Sequence, residues 1–387
     1  MVGKPLAMAP DRDIDPSRLP ERLGANPAFE TVQRAAKGLP AYVVGGGVRD
    51  GLIGWPHLDL DVVVEGEIEP LVEALGGDAT AHERFGTAVV QVGEAEIDVA
   101  RARAETYREP GALPEVRPAS IAEDLGRRDF SINAMAYPLS GENGLLDPHG
   151  GRADLASGTV RVLHPGSFTD DPTRALRAAR YVARFGFELD ADTKGLLDDA
   201  DLGTVSEDRV TAELARIASE ERPSAALELI SAWGVLNLGS GPRLAAAIER
   251  LLDSNLEWRG YADRATAILL AIAPGEHPSR LRARAAKLAH HEPPGSPAEV
   301  QVLARDHVPE VLAIARAAGA AWLDEYVSRL RHVELEISGY DLIEAGLPEG
   351  PAIGLGLNAA LAAKLDGEAS GFDDELRVAI EAAEGGV

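Results

Sequence analysis

Apolar side chains recur along the chain with two periods, and the change of period divides it. Residues 41–44 (AYVV) form a short apolar run that stops at Gly45-Gly46-Gly47. Residues 58–64 (LDLDVVV) alternate and then become wholly apolar. Two strand-like runs, 88–92 (AVVQV) and 96–100 (EIDVA), are joined near Gly93 and Glu94, the pattern of a hairpin. Residues 67–76 have helical spacing. The first part of the chain therefore predicts a mixed α/β segment. From about Leu155 onward Ala, Leu, Arg and Glu recur at helical spacing, as in 172–184, 207–219, 223–234 and 242–253, and strand signals almost vanish. A boundary is expected near 150–160. Pro- and Gly-rich joints near 274–278 and 292–297 divide the helical part again, and no repeat of fixed period runs through it.

Composition narrows the function classes. The chain has 387 residues, 45% hydrophobic, enough for a core and for two or three domains. It has no cysteine, which excludes disulfide partners, thiolate catalysis and cysteine-bound zinc. The first residues, MVGKPLAMAPDRDIDPSRLP, lack the apolar stretch of a signal peptide, and no apolar run is long enough to span a bilayer. A cytoplasmic protein with no membrane partner is expected, with a flexible N-terminal arm over 1–25. The net charge of −25 argues against a nucleic-acid partner. Net charge governs solubility and long-range steering, however, and leaves room for a locally basic cleft.

Five constellations carry chemistry. Gly45-Gly46-Gly47-Val48-Arg49-Asp50 follows a strand, so its glycines can bring backbone N–H groups to a phosphate and Arg49 adds a forked cation. Asp59 and Asp61, two apart on a strand, point to one face and repel each other unless a cation neutralises them; a pair of Mg²⁺ ions is the natural counter-charge, and an edge strand blunted by acids is the plain alternative. A third carboxylate, Glu96 or Asp98, stands on the neighbouring run, and spacing does not choose between them. In Arg127-Arg128-Asp129-Phe130-Ser131-Ile132-Asn133, arginines suit triphosphate oxygens while Asp129 and Asn133 suit a ribose hydroxyl, or Asp129 simply caps a helix. In Asp170-Asp171-Pro172-Thr173-Arg174-Ala175-Leu176-Arg177, Asp171 and Arg174 share a helix face and offer an acceptor and a donor to a base edge, with Arg177 beyond them; an ordinary capped helix with an internal ion pair is the plain alternative.

Taken in order, with Asp147-Pro148-His149-Gly150-Gly151 and the Ser206–Leu214 segment, these motifs resemble the class II CCA-adding enzyme and bacterial poly(A) polymerase family over roughly residues 40–235. A weaker likeness continues at 337–354 (ISGYDLIEAGLPEGPAIG). The resemblance implies an α+β fold. A small polymerase-beta-like nucleotidyltransferase head with a mixed sheet (26–155) would precede a helical neck that recognises the base (156–235). A helical body (236–335) and a helical, tRNA-binding tail (336–387) would follow. It implies that Asp59 and Asp61 bind the metals and Asp98 assists. Gly45, Gly46 and Arg49 would hold the triphosphate, and Asp129 would sense the ribose with Arg128 and Asn133 in support. Asp171 and Arg174 would read the base of CTP or ATP, and Arg177 and Arg180 would contact phosphate or steady the neck.

The implied reaction is attack of the tRNA 3′-hydroxyl on an α-phosphate. The product would be CCA, or within the same family CC, a single A or poly(A). A non-catalytic RNA-binding protein and a small-molecule nucleotidyltransferase are the readings outside it. Two positions depart from the family pattern: Asp170 stands where glutamate is usual, and Ser131 where threonine is usual. Residues 103–118 are expected to form a flexible loop, whose presence argues mildly against an enzyme restricted to C addition. Arg280, Arg282, Arg284 and Lys287 are expected to meet the tRNA backbone, or else to be a solvated helix face. No His-Asp dipeptide occurs, so an appended phosphohydrolase of that type is not indicated.

Overall fold

The structure, a computed structural model, describes residues 14–55, 58–76, 79–82, 86–140 and 144–385. They fall into two compact units, one of residues up to Glu213 with Ala225–Asn237, the other of Leu214–Ser224 and Leu238–Val387.

The first unit is built on a six-stranded mixed sheet. Its strands are β1 (Ala41–Val44), β2 (Asp61–Val64), β3 (Ala79–His82), β4 (Thr87–Val92), β5 (Ala95–Arg101) and, from further along, the short Ala136–Pro138. The spatial order is β3-β4-β5-β2-β1 and then Ala136–Pro138 at the edge. The 88–92 and 96–100 runs form the expected antiparallel hairpin, and β5 lies parallel to β2 with Asp98 opposite Asp61. Helices α1 (Leu19–Leu23), α2 (Phe29–Ala35), α3 (Gly46–Ile53) and α4 (Glu69–Leu75) precede or link these strands. α5 (Ile121–Gly126) follows, opened by a capping box in which Ser120 and Glu123 satisfy each other's backbone N–H.

Two expectations are corrected here. The arm predicted over 1–25 is not all flexible: α1 buries Leu19 and Leu23 completely in the head core, because LPERL places two leucines one helical turn apart. Residues 1–13 lie outside the described residues. The segment 103–118 is a two-stranded ribbon, Arg103–Thr106 paired antiparallel with Glu115–Pro118, rather than a loop. It escapes notice in the sequence because both strands are short and polar.

Beyond the sheet come α6 (Gly151–Ser157), α7 (Ser167–Asp170), α8 (Thr173–Phe185), α9 (Ala191–Gly195) and α10 (Glu207–Ala218). One apolar core runs from the sheet side chains Val43, Val62 and Ile97 through Phe130 and Phe168 to Tyr181, Phe185 and Phe187. Head and neck segments thus bury their apolar faces against each other.

The second unit is helical. Trp258, fully buried, donates Nε1–H to Asp324 at 2.7 Å, and Arg316 closes the same carboxylate with two further bonds. Towards the C-terminus Ile337, Leu342, Leu347, Ala360, Ala379 and Ala383 form a small separate core. No helix among the described residues is long and apolar enough to cross a membrane.

Candidate active site

One cavity of about 400 Å³ in the first unit gathers most of the residues singled out above. It is lined by Gly45, Gly46, Arg49, Asp61, Arg128, Asp129, Asn133, Asp171, Arg174 and Arg177, together with Glu105, Tyr107, Arg127, Thr173, Tyr181 and Glu213. Five arginines (49, 127, 128, 174, 177) face five carboxylates (61, 105, 129, 171, 213), so the walls are locally balanced in a chain of net charge −25.

At one end β2 presents Asp61 directly beside Asp98 on β5. Burial and the negative charge of Asp98, with a smaller push from Asp59, raise the Asp61 pKa above that of a free side chain, while Arg128 and Arg49 pull it down. A carboxylate held against its like in a half-buried strand wants a hard cation, and oxygen donors suit Mg²⁺. The donor chemistry therefore fits a divalent ion at Asp61 and Asp98. Of the two carboxylates that spacing did not choose between, Asp98, not Glu96, is the strand partner of Asp61. Asp59 precedes β2 rather than lying in it, so the two-apart strand argument holds for only one member of the pair. Among the described residues no group of three His, Asp or Glu side chains converges tightly enough to hold a metal.

Next to the carboxylates stands the N-terminus of α3. Gly45 has φ +61°, and a Cβ there would come within 2.7 Å of Arg128 Nη1, so glycine is required for both backbone and space. Arg128 anchors Nε and Nη2 on Asp124, at 3.3 and 2.9 Å, and its Nη1 takes no hydrogen bond among the described residues. Arg128 therefore keeps a donor for an anion. Its neighbour Arg127 is fully engaged with Arg103 O, Asp124 and Glu105.

Across the middle runs a chain of paired groups. Arg49 is bidentate on Asp50 and donates Nη1–H to Asn133 Oδ1 at 2.5 Å. Asn133 Nδ2 donates to Asp129 Oδ1 at 2.9 Å, as does the Phe130 amide at 2.8 Å. Arg177 grips Asp129 Oδ2 with Nε and Nη2, at 2.8 and 2.6 Å, and also reaches Glu213 at 3.4 Å. Burial alone would push Asp129 up, but Arg177 and Asn133 hold its pKa at about 2, and Asp129 in turn raises that of Arg177. Tyr181 packs in this row under Arg49, Arg177 and Arg180, whose guanidinium carbons lie 5.2, 5.9 and 4.7 Å from its ring centre.

The far end is the start of α8. Asp171 Oδ1 accepts from the Thr173 amide (3.0 Å) and hydroxyl (2.6 Å) and lies 2.9 Å from Arg209 Nη2. Its Oδ2 accepts no hydrogen bond among the described residues. Arg174 donates to Ser167 Oγ at 2.7 Å and to the Arg127 carbonyl at 2.8 Å. The internal ion pair considered for this helix does not form; each member is held by other groups and faces the cavity.

Residues 41–161 match the family profile described as the Poly A polymerase head domain. An A-adding tRNA nucleotidyltransferase of Geobacter sulfurreducens is 32% identical over 89% of this chain and 45% of its own length. The chain spans between 25% and 54% of the length of three such A-adding relatives. A CC-adding tRNA nucleotidyltransferase of Deinococcus radiodurans is 32% identical over 90% of this chain and 91% of its own length. The chain belongs to the class II CCA-adding enzyme family. Its fold agrees: the Thermotoga maritima CCA-adding enzyme, solved with tRNA, superposes with a TM-score of 0.73 at 28% identity, covering 95% of this chain and 98% of that one.

Several of the residues singled out in the sequence sit otherwise than expected. Arg49 lines the cavity but is only 4% exposed, with its guanidinium bonded to Asp50 and Asn133, so holding a triphosphate would require it to exchange one of these bonds. Asp129 accepts four hydrogen bonds, which fills a carboxylate's acceptor sites; a ribose hydroxyl can bond it only by displacing one. It does not cap a helix, since the short turn Ser131–Asn133 begins behind Phe130. Of the two roles expected for Arg177 and Arg180, phosphate contact or steadying of the neck, the pairing of Arg177 with Asp129 and Glu213 and the packing of Arg180 on Tyr181 outside the cavity lining are compatible with the second. In the second unit Arg282 donates to the Leu270 and Ala273 carbonyls and to Ser279, closing the end of the preceding helix, so it leaves the basic cluster. Arg280, Arg284 and Lys287 remain exposed on Glu276–Ala289, with Arg280 beside Glu276 at 3.6 Å. Glu105, Tyr107, Thr173, Tyr181 and Glu213 were not anticipated at the site. Tyr107 carried the only available sign, a lone ring in a polar stretch.

Proposed function

We propose that this chain is a tRNA nucleotidyltransferase of the cytoplasm that adds CCA, or part of it, to the tRNA 3′ end from CTP and ATP without a nucleic-acid template. The observation that carries the reading is the cavity itself, which sets Asp61 (with Asp98 beside it on the neighbouring strand), the free Arg128 donor and the Asp171–Arg174 face around one volume. The triphosphate lies over Gly45 and Gly46, where the first N–H groups of α3 and Arg128 Nη1 meet its oxygens. Two Mg²⁺ ions would be held by Asp61 and Asp98 with help from Asp59, and when bound they neutralise phosphate charge and make the attacking 3′-hydroxyl more acidic. Asp171 Oδ2 accepts from the exocyclic amino group of cytosine or adenine, and Arg174 donates to the adjacent ring nitrogen. Uracil and guanine present the reverse pattern there. Attack of the tRNA 3′-hydroxyl on the α-phosphate releases pyrophosphate. Relatives whose names specify A addition over most of this chain support a second reading, in which only the terminal A is added.

The test is direct extension. Purified protein is given tRNA ending before CCA, after C and after CC, with Mg²⁺ and CTP, ATP or both, and products are resolved on a gel. Three added residues with both nucleotides support CCA addition; extension only of the CC-ending tRNA by ATP supports the second reading. No extension of any of the three would reject both.

A further inference from the structure

Arg209, in the first turn of α10, joins two elements that flank the candidate base-reading end of the cavity. Besides Asp171, its guanidinium meets the ribbon of residues 103–118: Nη1 donates to the Gly111 carbonyl at 2.7 Å. The Gly111 amide donates in turn to the Thr169 carbonyl at 3.1 Å, two residues before Asp171. Gly111 has φ +70°, and a Cβ there would lie 2.3 Å from Thr204 Oγ1 and 2.9 Å from the Thr204 carbonyl oxygen. The tip therefore seats only as glycine, and its carbonyl is a fixed point against which Arg209 is held.

Three donors, the Thr173 amide, the Thr173 hydroxyl and Arg209, converge on Asp171 Oδ1. A carboxylate held so by one oxygen cannot swing, and its other oxygen points in one direction. The Thr173 bonds are local and move with the helix start. Among the described residues Arg209 supplies the only long-range anchor on this oxygen, and it is charge-assisted, the stronger kind of bond.

We propose that Arg209 is a positioning residue that fixes the direction of the Asp171 acceptor and thereby sets the discrimination between amino-bearing bases (C, A) and carbonyl-bearing bases (U, G). This role rests on the nucleotide-binding reading of the cavity. Arg209 itself touches neither the base nor the reacting atoms.

The experiment compares the parental protein with Arg209→Gln, Arg209→Lys and Gly111→Ala. Each is measured for affinity to CTP, ATP, UTP and GTP by calorimetry and for extension of tRNA ending before CCA with each nucleotide. Loss of the charge-assisted bond should lower the preference for CTP and ATP over UTP and GTP by about tenfold in Arg209→Gln, through KM, with kcat held within about threefold. Arg209→Lys keeps a cation and should recover part of the preference. Gly111→Ala displaces the anchor and should follow Arg209→Gln. An unchanged preference in Arg209→Gln, or equal losses for all four nucleotides, would overturn the role. If the parental protein binds nucleotides with this preference but extends no tRNA, the proposed reaction falls, and the affinity ratios of the variants still decide the role of Arg209. If it binds none of the four, both fall.

Discussion

Removing Arg177 exposes how the middle of the site is held. Asp129 sits at about 2 against 3.8 for a free side chain, and its side chain is 7% exposed. A difference of about two pKa units at about 1.4 kcal/mol each amounts to about 2–3 kcal/mol of native stability at neutral pH. That share is complete above pH 3.8 and is lost as pH falls through the folded value. In Arg177→Met the attraction is gone and burial, the largest influence on this carboxyl, is unopposed by its main partner, so the folded pKa moves above 3.8. The buried charge then penalises folding most at neutral pH, and the penalty fades as acid protonates it. The sum is about 3–5 kcal/mol at pH 7, the usual cost of orphaning one half of a buried pair. Urea unfolding followed by far-ultraviolet circular dichroism, at pH 7 and near pH 3.5, measures it. The difference between parent and variant should shrink to about half at the lower pH. A difference that stays the same at both pH values, or lies below about 1 kcal/mol at pH 7, would refute the assignment of Arg177 as the partner that keeps Asp129 ionised.

Three further outcomes are expected. Asp61→Asn and Asp98→Asn should each reduce RNA extension by at least about a hundredfold with folding retained, whereas Glu96→Gln should leave it within about threefold, read from single-turnover gels. Gly45→Ala should weaken CTP and ATP binding by at least about tenfold, because its Cβ meets Arg128 and its backbone requires positive φ, checked by calorimetry. Arg282→Ala should lower stability by about 1–3 kcal/mol and leave the salt dependence of tRNA binding unchanged, while neutralising Arg280, Arg284 and Lys287 together should flatten that dependence.

The parts of the fold that were legible in the sequence are those with a local cause. β1 ends where the glycines begin, the β4–β5 hairpin follows from alternation about Gly93, and α8 begins behind Pro172 as its spacing indicates. The start of β2 was read early because Leu58 and Leu60 continue the alternation although only residues from Asp61 pair with neighbours. Most of the site residues line one cavity, yet the bonds each makes there depend on distant partners. Arg49 and Asn133 are bonded across 84 positions, Arg177 and Asp129 across 48. No pattern in a single stretch shows that an arginine's donors are already taken, and the same holds for Arg282, which reads as a surface cation and acts as a helix cap.

The side-by-side carboxylates on β2 and β5 have a consequence for durability. They occupy the only parallel pairing of the described main sheet, so the strand pair at its heart is held together against mutual repulsion. A protein shaped purely for robustness would place neutral side chains there. Replacing Asp61 by its amide should therefore yield a molecule that melts later than its parent, and if it also extends no RNA, the strand pair is a place where toughness has been given up for reactivity.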